Sequence, residues 1–278
     1  GHPRTKSQTT ADAHAAAERR PNMITDVNVW LSRWPTRRLP LDDTPQLVAT
    51  LRSLHITDAW CASLDGLLHR DLRSVNRRTV AECRQHGPGL LRPVAVINPA
   101  LPGWQADLED CQQLEIQILR LMPGWHGYDL SSPHFRQLLQ SAQQARMLVQ
   151  ICLRLEDPRI QHTLLQIPDI DASPLLAPEI TSTGCPLMLL NALASTTPDL
   201  AARLAANAGI GFDIAMLEGL AGLERLTTTL PGNRIHYGSY SPVFAPHAAS
   251  LKLQESQLPA PLQTLITRDN STELLRSL

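Results

Sequence analysis

Residues 24–63 read ITDVNVWLSRWPTRRLPLDDTPQLVATLRSLHITDAWCAS. An apolar run, Ile24–Leu31, leads through a polar connection into Thr44–His55, where Leu47, Leu51 and Leu54 share one helical face. A second apolar run, Ile56–Ser63, follows. Alternation with period two signals a strand and period 3.6 a helix. This is a strand–helix–strand unit, whose strands run parallel through a right-handed crossover.

The alternation continues outward from this unit. Further strands are predicted at Leu91–Asn98, Ile116–Met122, Leu148–Leu155, Leu187–Leu193, Gly209–Leu217 and Ile235–Ser239. Among the intervening helices, Asp71–Gln85 presents Leu72, Val75, Thr79 and Cys83 on one face, and Gly87 marks its end. Ser132-Pro133 and Thr197-Pro198 each place a capping hydroxyl before a first-turn proline. Eight strands alternating with helices predict an α/β fold, a single (β/α)8 TIM barrel, whose closure leaves no sheet edge. An open doubly wound sheet is the runner-up, but no Gly-rich phosphate turn follows the first strand. A barrel puts its functional groups at the C-terminal ends of the strands. The segment Glu156–Gly184 after the fifth strand, with Pro158, Pro168, Pro174 and Pro178, is predicted as an insertion that lids the mouth. Residues 1–22 read as a flexible tail whose Gly1-His2 start has the look of a tag, and residues 23–278 as the barrel.

Composition narrows the function. The chain has 278 residues, 25 Lys+Arg against 26 Asp+Glu, and 43% hydrophobic residues. A net charge of −1 supplies no field for a polyanion or a membrane surface, and the apolar content excludes wholesale disorder. No apolar run approaches the ~20 residues that span a bilayer. Cys61, Cys83, Cys111, Cys152 and Cys185 are odd in number and lie in apolar stretches, so they are expected as reduced core thiols of a cytoplasmic protein.

Strand alternation sorts the side chains. In the first strand Thr25, Val27, Val29 and Leu31 form an outward row, leaving Asp26, Asn28 and Trp30 inside. In the fifth, Gln150, Cys152 and Arg154 face inward; in the sixth, Asn191 shares a face with Leu187 and Leu189; in the seventh, Asp213 lies inside.

DVNVWLSRWPTRRLP (Asp26–Pro40), LMPGWHGYDL (Leu121–Leu130), LRLEDPRIQH (Leu153–His162), FDIAMLEG (Phe212–Gly219) and HYGSYSP (His236–Pro242), in this order, resemble the amidohydrolase superfamily. The likeness is to its amidohydrolase-related, TIM-barrel "metal-dependent hydrolase" branch, and runs from Met23 to Leu278, with Asn270 near the last helix. The resemblance implies a divalent metal held by a DxHxH first strand, a His on each of the fifth and sixth strands, and an Asp after the eighth. Here Asn28 and Trp30, Gln150 or Cys152, Asn191 and Tyr240 stand at those positions. Amides, an indole and a phenol do not replace basic or anionic ligands, so the metal is expected to be lost and no cofactor is expected. Relocated ligands drawn from His126, His162, His236, Asp213 and Glu156 are the alternative.

At the expected mouth, Arg120 and Arg154 offer planar guanidinium groups, either to a substrate carboxylate or, as internal struts, to Asp26, Glu156 or Asp213. Arg33, Arg37 and Arg38 read as a solvated loop. His126, framed by Gly124 and Gly127, and His162 on the insertion are candidates for proton transfer or for loop bracing. Asp213 is the best carboxylate for a base; Glu218 reads as a helix cap; Trp30, Trp34 and Trp125 wall a pocket or fill core. The chain has no GxSxG elbow, no P-loop and only two lysines, Lys6 and Lys252. The expectation is a hydrolase or lyase, cleaving a C–O or C–N bond of a small, anionic, carboxylated substrate without metal. Its catalytic groups would be His126 and Asp213, and its substrate contacts Arg120, Arg154, Asn28, Trp30, Asn191, His162 and Tyr240. A catalytically inactive barrel that binds a small molecule or a protein competes with it, as does a metal hydrolase with relocated ligands. No nucleic-acid or membrane partner is expected, and a homo-oligomer is compatible with the sequence.

Overall fold

The computed structural model describes residues 23–278; the expected tail, residues 1–22, lies outside the described residues. Among the described residues nine short strands run in parallel: β1 (Ile24–Leu31), β2 (Ile56–Ser63), β3 (Leu91–Pro93), β4 (Ala95–Val96), β5 (Ile118–Leu121), β6 (Leu148–Cys152), β7 (Leu187–Leu190), β8 (Gly211–Asp213) and β9 (Ile235–His236). β3 and β4 are two halves of the third stave of an eight-stave ring. Pro93 has no N–H for the ladder, and Val94 continues it by donating to the Cys61 carbonyl at 2.8 Å. β1 through β3 and β4 through β9 are each hydrogen-bonded in sequence order. The ring shuts where Val27 donates to Tyr237 (3.0 Å) and Trp30 to Ser241 (2.8 Å).

The predicted strands begin close to where the real ones do; the first two match at both ends, and the later ones overrun the real C-terminal ends. β6 stops at Cys152 rather than Leu155, β7 at Leu190 rather than Leu193, and β8 at Asp213 rather than Leu217. At the mouth the chain turns away from the ladder. Asn191 adopts φ 56°, in the left-handed region that asparagine tolerates better than most residues.

Two apolar layers share the ring. The outer one packs Val29, Leu31, Ile151, Leu189, Phe212 and Tyr237 against the helices, and the inner one holds Val27, Trp30, Trp60, Ile118, Met188, Leu190 and Tyr240. Val27 therefore departs from its predicted outward row. The β1–β2 register slips between Asp26, opposite Ala59, and Val29, opposite Cys61. That bulge adds a residue to β1 and breaks the alternation there.

The helix Leu72–His86 ends at Gly87 as predicted. Thr197 caps the helix Pro198–Ala208 by accepting from the Leu200 N–H, whereas Ser132 makes no such bond at the start of Pro133–Gln144. The last helix, Asn270–Arg276, closes the floor of the ring, with Leu274, Leu275 and Leu278 against the inner layer. All five cysteines are buried free thiols. Among the described residues no helix is long and apolar enough to cross a membrane.

Candidate active site

The bulge in β1 aims Asn28 at the ends of β7 and β8. Its Nδ2 spends both protons there, on Asn191 Oδ1 (2.9 Å) and Asp213 Oδ2 (2.8 Å). Trp30 Nε1 donates to Asn28 Oδ1 at 2.9 Å, and because an indole can only donate, this bond fixes the orientation of the amide. Asn191, swung inward by its left-handed backbone, donates its N–H to Asp213 Oδ1 (2.8 Å) and its Nδ2 to the Arg154 carbonyl (2.9 Å). Gly238 lets this cluster close, since a Cβ there would collide with the Asp213 carboxylate. Burial raises the Asp213 carboxyl above its ordinary range, against the opposing pull of the Asn28 and Asn191 bonds.

Asp26 sits at the ring's seam. Its Oδ1 accepts from the N–H groups of Asn28 (3.1 Å) and Ser239 (3.0 Å), and its Oδ2 is buried without a partner. Burial pushes this carboxyl up to about 7.

Arg120 is fully buried beneath the cluster. It donates to Gln150 Oε1 (2.8 Å) and to the carbonyls of Val29 (2.7 Å), Val27 (2.9 Å) and Trp60 (3.0 Å), and it stacks 4.8 Å from the Trp30 ring centroid. Its hydrogen-bond partners are thus none of the expected carboxylates, and its guanidinium faces the sheet rather than the mouth. The bulge accounts for this, because it turns two β1 carbonyls inward and they need a donor. Arg154 likewise pairs with none of the three: it grips Asp169 of the insertion in bidentate fashion, with Nε at 2.7 Å. Glu156 is taken instead by Arg37.

The remaining candidates scatter. His126 ends the one-turn helix Pro123–His126, and its Nε2 meets the Gly66 carbonyl at 2.9 Å while Nδ1 is buried without a partner. Burial lowers its pKa, and no hydrogen bond joins it to Asp213. His162 is exposed, and its Nδ1 braces its own loop by accepting from the Leu164 N–H at 3.2 Å. Tyr240 donates to the Leu155 carbonyl at 2.6 Å from inside the ring. Trp34 and Trp125 meet edge to face, 5.8 Å apart. Asn28, Trp30, Asn191 and Asp213 thus converge, with Arg120 stacked on Trp30 beneath them, whereas His126, His162 and Tyr240 each serve a separate contact.

Under the insertion a cavity of about 10 Å³, room for one water, is lined by Cys152, Arg154, Glu156, Gln161, Asp169 and Trp125. Asp169 was not foreseen; it lies within the Pro-rich segment with no local pattern to mark it.

The fold class raises the question of a divalent metal at this mouth. Asn28 and Trp30 turn N–H groups rather than lone pairs toward the centre, and Asp213 is the one carboxylate among the four converging side chains. Among the described residues no three His, Cys, Asp or Glu side chains gather, and His236 lies at the floor of the ring rather than the mouth. The donor set does not fit a divalent cation.

No protein-family model matches the chain, and no curated protein matches it. Solved structures do. An uncharacterized TIM-barrel protein from Bordetella bronchiseptica superposes with a TM-score of 0.69 at 13% identity, covering 91% of this chain and 98% of that one. The 2,6-dihydroxybenzoate decarboxylase from Rhizobium gives 0.66 at 12% identity, over 92% and 98%. A putative amidohydrolase from Staphylococcus aureus gives 0.65 at 10% identity, over 91% and 99%. The protein is a (β/α)8 barrel, similar over nearly its whole described length to barrels described as decarboxylases and amidohydrolases.

Proposed function

We propose that this barrel is a hydrolase or lyase that acts at its mouth on a small carboxylated compound, by proton transfer and without a divalent metal. The observation that carries the reading is the Asp213 carboxyl. It is buried among the converging strand ends and held by Asn28 and Asn191, and burial raises it above the ordinary carboxylate range, as suits a proton-transfer group. Arg154, at the rim of the small cavity, is the group to receive the substrate carboxylate, exchanging Asp169 for it as the insertion opens. His126, with its unpartnered Nδ1, is the second proton carrier. The decarboxylases among the structural neighbours widen the candidate bonds from C–O and C–N to C–C.

The test is turnover by protein dialysed against chelator, on a panel of aromatic and aliphatic carboxylic acids, lactones and amides. Asp213→Asn is expected to lower kcat by about 10²–10⁴-fold on whichever substrate is turned over. Activity lost to chelator and restored by a divalent cation would overturn the metal-free half of the proposal.

A second reading, a barrel that binds without catalysing, rests on the closure of the mouth network, in which both Asn28 amide protons are committed to the protein. Absence of turnover across the panel, with saturable binding of one of its members, selects it.

A further inference from the structure

At the end of the ring opposite the mouth lies a cavity of about 330 Å³, between the starting ends of β7, β8 and β9 and the floor helix Asn270–Arg276. That volume sits at the lower end of the ~300–1,000 Å³ typical of ligand clefts. His236 forms part of its wall and is only 3% exposed. Its Nδ1 is engaged with Ser271 Oγ at 2.9 Å, while its Nε2 has no hydrogen-bond partner among the described residues. The Nε2 edge lies over Gly211, which lines the same cavity; a Cβ there would stand 2.7 Å from it. Burial keeps the ring neutral, lowering its pKa to about 3.

Arg234 is the cavity's cation. It is partly buried, lies across Gly209 and makes no ion pair among the described residues. Glu273 and Ser277 stand exposed at the rim. The bottom of a barrel ordinarily serves stability; here it carries a guanidinium without an ion pair and an imidazole nitrogen without a hydrogen-bond partner among the described residues, both on the wall of one cavity.

We infer that this floor cavity is a second ligand site, which takes a small hydroxy-carboxylate: Arg234 and His236 Nε2 hold the carboxylate, and Glu273 accepts from the hydroxyl. A bidentate guanidinium suits the planar carboxylate. The Glu273 carboxylate at the rim repels a more highly charged anion, which sets the class apart from phosphate.

Sodium lactate is the probe and inorganic phosphate its control, each titrated into ¹⁵N-histidine-labelled full-length protein at fixed ionic strength. Lactate is expected to shift one histidine ring saturably and phosphate to leave it unmoved. Arg234→Gln, a change at a partly exposed side chain, is expected to weaken the lactate response at least about tenfold, the scale of one charged hydrogen bond, with unfolding unchanged. Gly211→Ala, which crowds Nε2, is expected to abolish it. A response to phosphate alone, no saturable response, or a lactate response that survives Arg234→Gln would each overturn the inference. The mouth reading is tested by turnover on the carboxylic-acid, lactone and amide panel and this inference by the histidine response, so failure of one is separable from failure of the other.

Discussion

Asp26 and His236 are buried titratable groups whose shifts pull the stability of the barrel in opposite directions with pH. Burial lifts the Asp26 carboxyl from 3.8 to about 7, so the folded chain holds this proton more tightly than the unfolded chain does. Its stabilising effect is complete below about pH 4 and is lost as pH rises toward 7. His236 works in the opposite sense: its depressed pKa contributes stability above about 6.5, which is lost as pH falls toward 3. The two slopes oppose each other across mildly acidic pH and mask one another in the native protein. Asp26→Asn separates them. The unfolding free energy of the variant minus that of the wild type, from denaturant titrations, is expected to grow from pH 4 to pH 7 and then level off. A difference independent of pH would remove the shifted carboxyl from the explanation.

Helix starts give a sharper test at the level of elements. Thr197 bonds the Leu200 N–H, whereas Ser132, in the same sequence setting before a proline, bonds nothing. Thr197→Ala is expected to cost about 1 kcal/mol in chemical unfolding, and Ser132→Ala close to none. The sequence alone does not separate these two, because both read as a hydroxyl followed by proline. What was legible was whatever depends on period: the eight staves, their order, their starting points and the inward face of β6 and β8. What was not legible came from breaks in the period. The bulge between Asp26 and Val29 put Val27 inside and turned its carbonyl toward Arg120, so a residue expected to meet substrate became a brace for the sheet. Asn191 reached the mouth through a positive φ, although it shares strand parity with outward-facing Leu189. Asp169 lies 15 residues beyond its partner Arg154 in a segment without periodicity, and no pattern predicts such a pairing.

Across the whole molecule, the segment Glu156–Gly184 is held to the mouth by two ion pairs, Arg154 with Asp169 and Arg37 with Glu156, while Ile160 and Leu164 on it stand 67% and 89% exposed. Asp169→Ala removes one latch, and limited proteolysis is expected to cleave between residues 157 and 167 several-fold faster than in the wild type, with the rest of the barrel resistant. Equal cleavage rates would show that the latch does not hold the segment. The seam of the ring has a consequence of another kind. Asp26 meets the Ser239 N–H across 213 residues of chain. On a ribosome adding roughly 5–20 residues per second, β1 waits on the order of 10–40 s for the segment that completes it. During that wait one side of β1 offers unmatched amides to any passing polypeptide, so nascent barrels of this kind depend on late-made sequence for protection from one another.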